Sequence, residues 1–575
     1  MRQGKRCAKD SLTNNFKIMD FGTLDYAVFI GYAALIMFIG LWVSRKGEKT
    51  AEGYFLASKS LPWWAIGSSL IAANISAEQF IGMSGSGFAI GLAIASYEWM
   101  AALSLLIVGK FFLPIFIKQQ LYTIPGFVER RYSTNLKTIL AIFWICLFVF
   151  VNLTSVLYLG AKALDTILGS GDGSTMMYFV VGLALFAAAY SLWGGLSAVA
   201  WTDVVQVILL VIGGLVTTFI AITHISPDGG IISGFQVLYE KVPEKFSMIL
   251  EQGEIITPNG KDAWWDLPGL AVLLGGMWVA NLYYWGFNQY IIQRTLAAKS
   301  LGEAQKGIAF AAFLKLLMPL IVVVPGIIAY VLNAGPDGVV TAQSVDPAFL
   351  KDGAIINDSA APWLIHKFVP TGLKGLVLAA LAAAIVSSLA SMLNSTATIF
   401  TMDIYKPYFG KNAGGGQLVN VGRITAVIAL VIAIFLAPQL GNLGQVFQYI
   451  QEYTGIVSPG ILAVFMLGLF WKKTTNNAAI WGVLLSIPIA MYFKVAPNGW
   501  SDSSLFVHIP FLQQMMWTWV ASSLIMVVIS YIEGKGADHE KGIPLSRQFF
   551  ATSPAFNISA FIVCLILVFL YAMFW

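Results

Sequence analysis

Apolar residues gather in fourteen blocks along the chain, parted by short polar stretches. The blocks run approximately over 25–43, 63–89, 95–117, 138–164, 176–193, 202–224, 267–287, 307–332, 374–402, 421–437, 446–470, 478–496, 512–532 and 556–575. Most are close to the roughly 20 residues with which a helix crosses about 30 Å of hydrocarbon. Alternating segments of about 10 residues, which would mark membrane-spanning strands, are not found. The pattern predicts an all-α polytopic membrane protein with about 14 transmembrane helices. Two blocks are interrupted. The second contains AANISAEQFIGMSGSG (residues 72–87) and the seventh NLYYWGFNQ (residues 281–289). Breaks five segments apart fit two inverted five-helix repeats, each with its first helix unwound. In such designs substrate and coupling ion bind beside the breaks, near the bilayer midplane.

This pattern divides the chain into a tail (1–18), a first span with its inner loop (19–58) and a first repeat over 59–224, segments 2–6. An outer loop (225–266), a second repeat over 267–472, segments 7–11, and peripheral segments 12–14 (473–575) follow. The tail MRQGKRCAKDSLTNNFKI reads either as a stretch preceding a true start at Met19 or as a polar extension. It has no apolar core of the signal-peptide kind. Lys and Arg mark alternate loops: Arg45, Lys46, Lys49 and Lys59 after the first segment, and Lys118, Arg130, Arg131 and Lys137 after the third. Further on they are Arg294, Lys299 and Lys306, then Lys406 and Lys411, Lys472 and Lys473, and Lys535, Lys541 and Arg547. By the positive-inside rule both termini lie outside, in a cell (inner) membrane. The loop at 193–201 is uncharged and gives no vote.

Composition agrees. Of 575 residues 58% are hydrophobic and 11% charged, against roughly 25% charged in soluble domains. The net charge of +5 lies mostly in loops and implies no nucleic-acid partner. Cys7, Cys146 and Cys564 have no paired spacing, and His224, His366, His508 and His539 are scattered in or beside loops. Neither a disulfide framework nor a metal cluster is expected, and no organic cofactor.

Candidate chemistry begins at the broken second segment. A helix in lipid must satisfy its own backbone. Asn74, Ser76, Gly82, Gly85 and Gly87 weaken that order, either to free carbonyls for an ion or to let helices touch closely. Glu98, Lys315 and Asp203 are ionisable residues in apolar surroundings, which mark a pathway or a partner. Lys315 also reads as half of a structural ion pair, Asp203 as a boundary residue and Glu78 as a helix-stabilising acid; Gln451 and Glu452 are similarly open. Ala384, Ser387 and Ser388, spaced i, i+3 and i+4, share a helix face. Hydroxyls there, with carbonyls from the break, would suit Na⁺; a packing face is the other reading. Gln79, Glu98, Asn281 and Lys315 with the ring of Tyr284 supply the neutral donors, acceptors and aromatic plane that a sugar needs.

YSLWGGLSAVAWTDVVQ (190–206) resembles the signature of the sodium/solute symporter family. IAANISAEQFIGMSGSG, ASYEWM, VANLYYWGFNQYIIQRTLAAK, AAAIVSSLASMLNSTATIFTMDIYK and FQYIQEYTGIVSPGILAVF are similar to its bacterial sodium/galactose branch. The likeness runs from about Met19 to Trp575. It implies a leucine-transporter-type core of two inverted five-helix repeats. It also implies a Na⁺ site from the carbonyls of Ala72, Ile75 and Ala384 with the hydroxyls of Ser387 and Ser388, and Asp203 on the ion's exit path. Implied sugar contacts are Gln79, Glu98, Asn281, Lys315 and the backbone near Gln451. Tyr284 would be the inner gate with Trp285 beside it, and Met83, Tyr97 and Phe447 an outer lid. Ala101 departs from the branch, which carries a serine there, and this bears on which hexose is preferred.

The expected function is sodium-coupled symport of galactose or glucose across a lipid bilayer, as a monomer or a homo-oligomer. A proton-coupled sugar carrier, or a symporter of the same fold for myo-inositol, a carboxylate or an amino acid, are the alternatives. A channel lacks a filter motif here, an enzyme lacks a nucleophile or histidine-rich motif in the spans, and a sensor lacks a signalling domain.

Overall fold

In the computed structural model the described residues are 21–45, 50–168, 173–351, 353–442, 446–499 and 508–575, so the expected tail, 1–18, lies outside them. Among these residues ten helices are long and apolar enough to cross a membrane. An eleventh span arises if the pair Ala263–Leu274 and Gly276–Phe287, bent by 75°, is taken as one. The protein is thus a multi-pass helical membrane protein. All fourteen apolar blocks fall on helices, but not one to one.

The discrepancies have local causes. The first helix, α1 (Thr23–Arg45), is a plain span. The second block is two short pieces: α2 (Trp63–Asn74) ends at Ile75, which is extended at φ −79°, ψ 114°, and a π-helical turn over Glu78–Met83 leads into α3 (Ser84–Ala89). The third block holds α4 (Ser96–Ile107). The fifth and sixth blocks are two helices joined end to end at a kink, together labelled α5 (Met176–Thr223), 48 residues in all. At 1.5 Å per residue it would measure about 72 Å, far beyond one crossing. It bends at Gly195, whose φ of 55° and ψ of −149° no side-chain-bearing residue adopts easily, and where a Cβ would lie 2.3 Å from the carbonyl oxygen of Tyr54. The uncharged loop expected at 193–201 is therefore reduced to a sharp kink at Gly195 between two helices.

The seventh block repeats the logic of the second. Helix α6 (Gly276–Phe287) has 12 residues, as α2 does, and ends at Asn288 with φ −80°, ψ 120°, before α7 (Gln289–Leu296). The two breaks thus share backbone geometry within a few degrees. Beyond them come α8 (Leu301–Val322), α9 (Val324–Asn333), α10 (Leu373–Ile399) and α11 (Val446–Phe470). A small antiparallel pair, Leu350–Lys351 with Ala354–Ile355, decorates the loop between α9 and α10.

Burial sorts core from rim. The span containing α10 is 94% buried, whereas α1 and the last span, Pro554–Met573, are each 17% buried and turn apolar faces outward. The buried Asp25 of α1 ties rim to core: its carboxylate accepts from the amides of Gly372 and Gly375, both at 2.7 Å, at the start of α10. An acid there also meets the positive end of the helix dipole.

Helices α8 and α9 run beside both halves of the broken span like a splint. Glu303 accepts from the amide of Trp63 at 2.9 Å, occupying an orphan donor at the start of α2. Gly67 and Gly307 let α2 and α8 touch, since a Cβ on Gly67 would lie 2.6 Å from the carbonyl of Gly307. Gly87 and Gly326 do the same for α3 and α9: a Cβ on Gly326 would sit 1.9 Å from the carbonyl of Ser84. Small residues at such crossings are the usual means of close helix approach in membranes. Gly326→Val is expected to cost about 3 kcal/mol or more, because backbone, not a flexible side chain, must give way. Thermal unfolding of the detergent-solubilised protein checks this; an unchanged midpoint would contradict the contact.

Candidate functional site

The break in the second span is locally encoded. Ser76-Ala77-Glu78-Gln79 forms a capping box: the Ser76 hydroxyl accepts from the amide of Glu78 at 3.1 Å, and Gln79 Oε1 accepts from the Ser76 amide at 3.1 Å and its hydroxyl at 3.0 Å. A second helical start is thus written into the middle of an apolar segment, and the preceding helix must stop. The carbonyls it frees at Ala73 and Ile75 face α10, where the buried Ser388 hydroxyl meets them at 3.1 Å and 3.4 Å. Ala72 and Ala384 are buried at the same level of burial, each 1% exposed.

Ser387 takes another direction. Its hydroxyl donates to Asp203 at 2.6 Å. Adjacent helical residues point about 100° apart, so one of the pair faces the break and the other faces α5. Asp203 is not a boundary residue; it is fully buried within α5. It also accepts from Ser69 of α2 and pairs with Arg294 of α7 at 3.4 Å. Arg294 donates in addition to Ser69 at 2.6 Å, to Ser391 and to the carbonyl of Tyr290. Counting Arg294 as a loop charge is therefore overturned: it is 1% exposed and clamps α2, α5, α7 and α10 together. Arg131, also counted in a loop, is buried and caps α11, donating to the carbonyls of Gly468, Trp471 and Lys472 at 2.9, 3.1 and 3.2 Å.

A central cavity opens beside the break. Gln79, Glu98, Asn281, Lys315 and Gln451 line it, as do Tyr284, Trp285, Met83 and Tyr97, with Ser388 and Ala101 in the same wall. The side chain of Phe447 lies outside the described residues, as does that of Glu452. Lys315 of α8 donates to Glu98 of α4 and to Asn74 of α2, and stands 5.2 Å from the Trp285 ring centre. The ion pair is buried yet borders the cavity, so it is both structural and available. Asn281 donates to the carbonyl of Met277 at 3.1 Å, which holds its amide against its own helix.

Tyr284 closes one side. Its oxygen accepts from Asn74 at 3.0 Å and from Tyr290 at 2.7 Å, joining the two broken spans through side chains. Trp285 meets it edge to face, with ring centres 5.2 Å apart. Asn74 was legible only as a helix-weakening residue, and Tyr290 carried no signal in isolation. Glu78 lines the same cavity rather than merely supporting a helix.

These contacts make the Arg294–Asp203 pair a testable clamp. Arg294→Met should destabilise the protein by about 3–5 kcal/mol, because it strands a buried carboxylate. Combining it with Asp203→Asn should fall short of the summed single losses by about 1.5–3 kcal/mol. A thermal-unfolding double-mutant cycle reads the coupling; strict additivity would mean that the two groups do not depend on each other.

The model of the sodium:solute symporter family matches residues 54–486. A sodium/glucose cotransporter from Vibrio parahaemolyticus is 57% identical over 96% of this chain and 98% of its own. The human sodium/myo-inositol cotransporter 2 is 31% identical over 88% of this chain and 76% of its own. Among solved structures, a substrate-bound, outward-open Na⁺-coupled sialic acid symporter superposes with a TM-score of 0.74 at 23% identity, covering 91% of this chain and all of that one. That likeness establishes a shared fold. The chain belongs to the sodium:solute symporter family.

Proposed function

We propose that this protein is a Na⁺-coupled symporter that carries a neutral hexose, galactose or glucose, into the cell by alternating access. One observation carries the reading: Ser388 and the carbonyls freed at the break form an all-neutral oxygen cluster in the wall of the cavity that gathers Gln79, Glu98, Asn281, Lys315 and Trp285. Neutral oxygens suit a singly charged hard cation. Amide, carboxylate and ammonium groups around an indole suit a ring of hydroxyls with one apolar face. The 57% identity to a sodium/glucose cotransporter supports the same assignment.

In this reading Na⁺ is held by oxygens of Ala72, Ile75, Ala384, Ser387 and Ser388, with Ser387 turning from Asp203 as the ion arrives. Asp203 then receives the ion on its way inward. Sugar contacts come from Gln79, Glu98, Asn281, Lys315 and the Gln451 region. Met83, Tyr97 and Phe447 close above, and Tyr284 with Trp285 opens below. The matched breaks at Ile75 and Asn288 support two inverted repeats, spanning 59–224 and 267–472, within a 14-helix chain of leucine-transporter type whose termini both lie outside an inner membrane. Spans 12–14 are peripheral, and no enzymatic step is involved. The ion gradient and the membrane potential drive the cycle, the latter with about 2.3 kcal/mol per charge at 100 mV. Coupling demands that Na⁺ prefer one state: an equal affinity for both would shift nothing, and a full 1:99 to 99:1 reversal takes about 5.5 kcal/mol of difference.

Proteoliposomes given labelled galactose should accumulate it only with an inward Na⁺ gradient. Uptake persisting without sodium at fixed pH would favour a proton-coupled carrier, and competition by myo-inositol would redirect the substrate. Ser388→Ala should raise the Na⁺ concentration for half-maximal uptake about tenfold, the loss of one ligand to a charged group. Gln79→Ala should raise the sugar KM by about 5–10-fold with Na⁺ half-saturation little changed. Unaltered values would move the respective site elsewhere.

A further inference from the structure

Away from the central cavity, a larger one of about 1250 Å³ opens on the flank of the molecule. The end of α1, the kink in α5 and the helix Gly415–Leu436 enclose it. Its depth in a bilayer follows from the helices. The 23 residues of α1 span about 35 Å at 1.5 Å each, so the last of them, Arg45, stands at headgroup level. Arg423 sits at the start of the apolar block 421–437, at the corresponding border of its own helix. Trp42 and Trp193 also line the cavity and are 52% and 58% exposed. Indole rings settle at this border, with one side in hydrocarbon and the N–H toward headgroups.

The charge of this cavity is unbalanced. Arg45 and Arg423 line it, and no carboxylate among the described residues does. Glu52, in the adjoining short helix Ala51–Leu56, is paired with Lys59 at 3.2 Å. Arg45 has neither a hydrogen bond nor an ion pair among the described residues. Arg423 is held by one edge. Its Nε donates to the carbonyl of Leu192 at 2.8 Å and its Nη2 to that of Trp193 at 3.4 Å, two carbonyls next to the kink at Gly195. The Tyr54 hydroxyl donates to the same Leu192 carbonyl at 3.0 Å, and its ring centre lies 5.7 Å from the guanidinium. Nη1 of Arg423 has no hydrogen-bond partner among the described residues. The exposed Asn420, three residues earlier, presents an amide on the same helix face. A guanidinium fixed on one edge and open on the other suits a phosphate, whose oxygens match its fork.

We propose that this cavity holds the headgroup of an anionic phospholipid, its phosphate between Arg45 and Arg423 and its acyl chains along the rings of Trp42 and Trp193. A neutral solute would leave two positive charges unanswered. A small soluble anion would answer them and leave the indoles bare. A phospholipid of net negative charge does both, and a zwitterionic one brings its own cation into a cavity that already has two. The bound lipid ties the end of α1 to the kink of α5 and to the helix Gly415–Leu436. The inference does not depend on which solute the central cavity takes.

Native mass spectrometry of the full chain, purified in detergent and titrated with phosphatidylglycerol or phosphatidylcholine, tests this. The wild type should retain one phosphatidylglycerol in preference to phosphatidylcholine. Arg45→Gln should weaken that retention about 5-fold, the loss of one basic group facing an anionic headgroup. Arg423→Gln should weaken it at least as much. Lys535→Gln, which removes an exposed charge at the end of the helix Phe511–Gly534, outside the cavity, should leave it unchanged. Arg423 also holds the kink, so that variant can fail to fold; Arg45→Gln, which breaks no contact among the described residues, then supplies the reading. Equal retention of the two lipids overturns the site, as does a preference that both arginine variants keep. An equal fall in Lys535→Gln overturns it as well, by reducing the effect to diffuse attraction. Glycerol 1-phosphate, which has the phosphate without chains, should not displace the lipid at equal concentration; displacement would make the cavity a site for soluble phosphates and overturn the lipid assignment.

Discussion

A helix opened inside a bilayer must hand its backbone carbonyls to something else, because hydrocarbon offers no hydrogen bond. At Ile75 that something is Ser388, a side chain from another helix. The contact sets much of the remaining architecture. It requires α10 to lie against the break, which places α10 in the centre of the molecule. It also leaves an oxygen-rich surface that water, an ion or a hydroxyl-rich molecule can approach from the adjoining cavity. The chemistry of the site is thus a by-product of keeping a broken span alive in lipid.

Two buried charge groups stand on either side of this contact and differ in kind. Arg294 and Asp203, with Ser69, Ser387 and Ser391, form a closed set in which nearly every donor has an acceptor. The second set, Lys315 with Glu98 and Asn74, has one side turned to the cavity. A closed network fixes helices in place, whereas an open one can trade a partner for a ligand. Buried ion pairs contribute little net stability against well-packed apolar residues. Their retention here is better explained by positioning than by stability.

Much of this was legible in the residues. Fourteen apolar blocks fall on helices, and both interruptions are true breaks. The serine pair was found by spacing, and most of the expected sugar contacts share one cavity. What escaped did so for physical reasons. Periodicity separated the two halves of α5 but could not give the length of their junction, so a kink at Gly195 read as a loop over 193–201. A basic residue near a segment end reads as a loop charge unless its acid is known, and Arg294 finds Asp203 91 residues away. Spacing put Ser387 and Ser388 on one face but could not say that Asp203 would draw one of them aside. The SAEQ capping box, not used in the sequence reading, is a signal the residues do carry: a helix start in the middle of an apolar run announces a break.

The splint along the broken span has a mechanical consequence. Helices α8 and α9 grip α2 through Glu303 and the Gly67–Gly307 crossing, and grip α3 through Gly87 and Gly326. Any motion that keeps these contacts carries both stumps of the fracture together with their brace, as one rigid blade. The fracture itself is then no elbow. Sliding then falls to the blade's other edge, where the Ser388 hydroxyl reaches the freed carbonyls and Arg294 with Asp203 links Ser69 to Ser387 and Ser391 of α10, so whatever occupies that seam acts as a removable pin between two bodies.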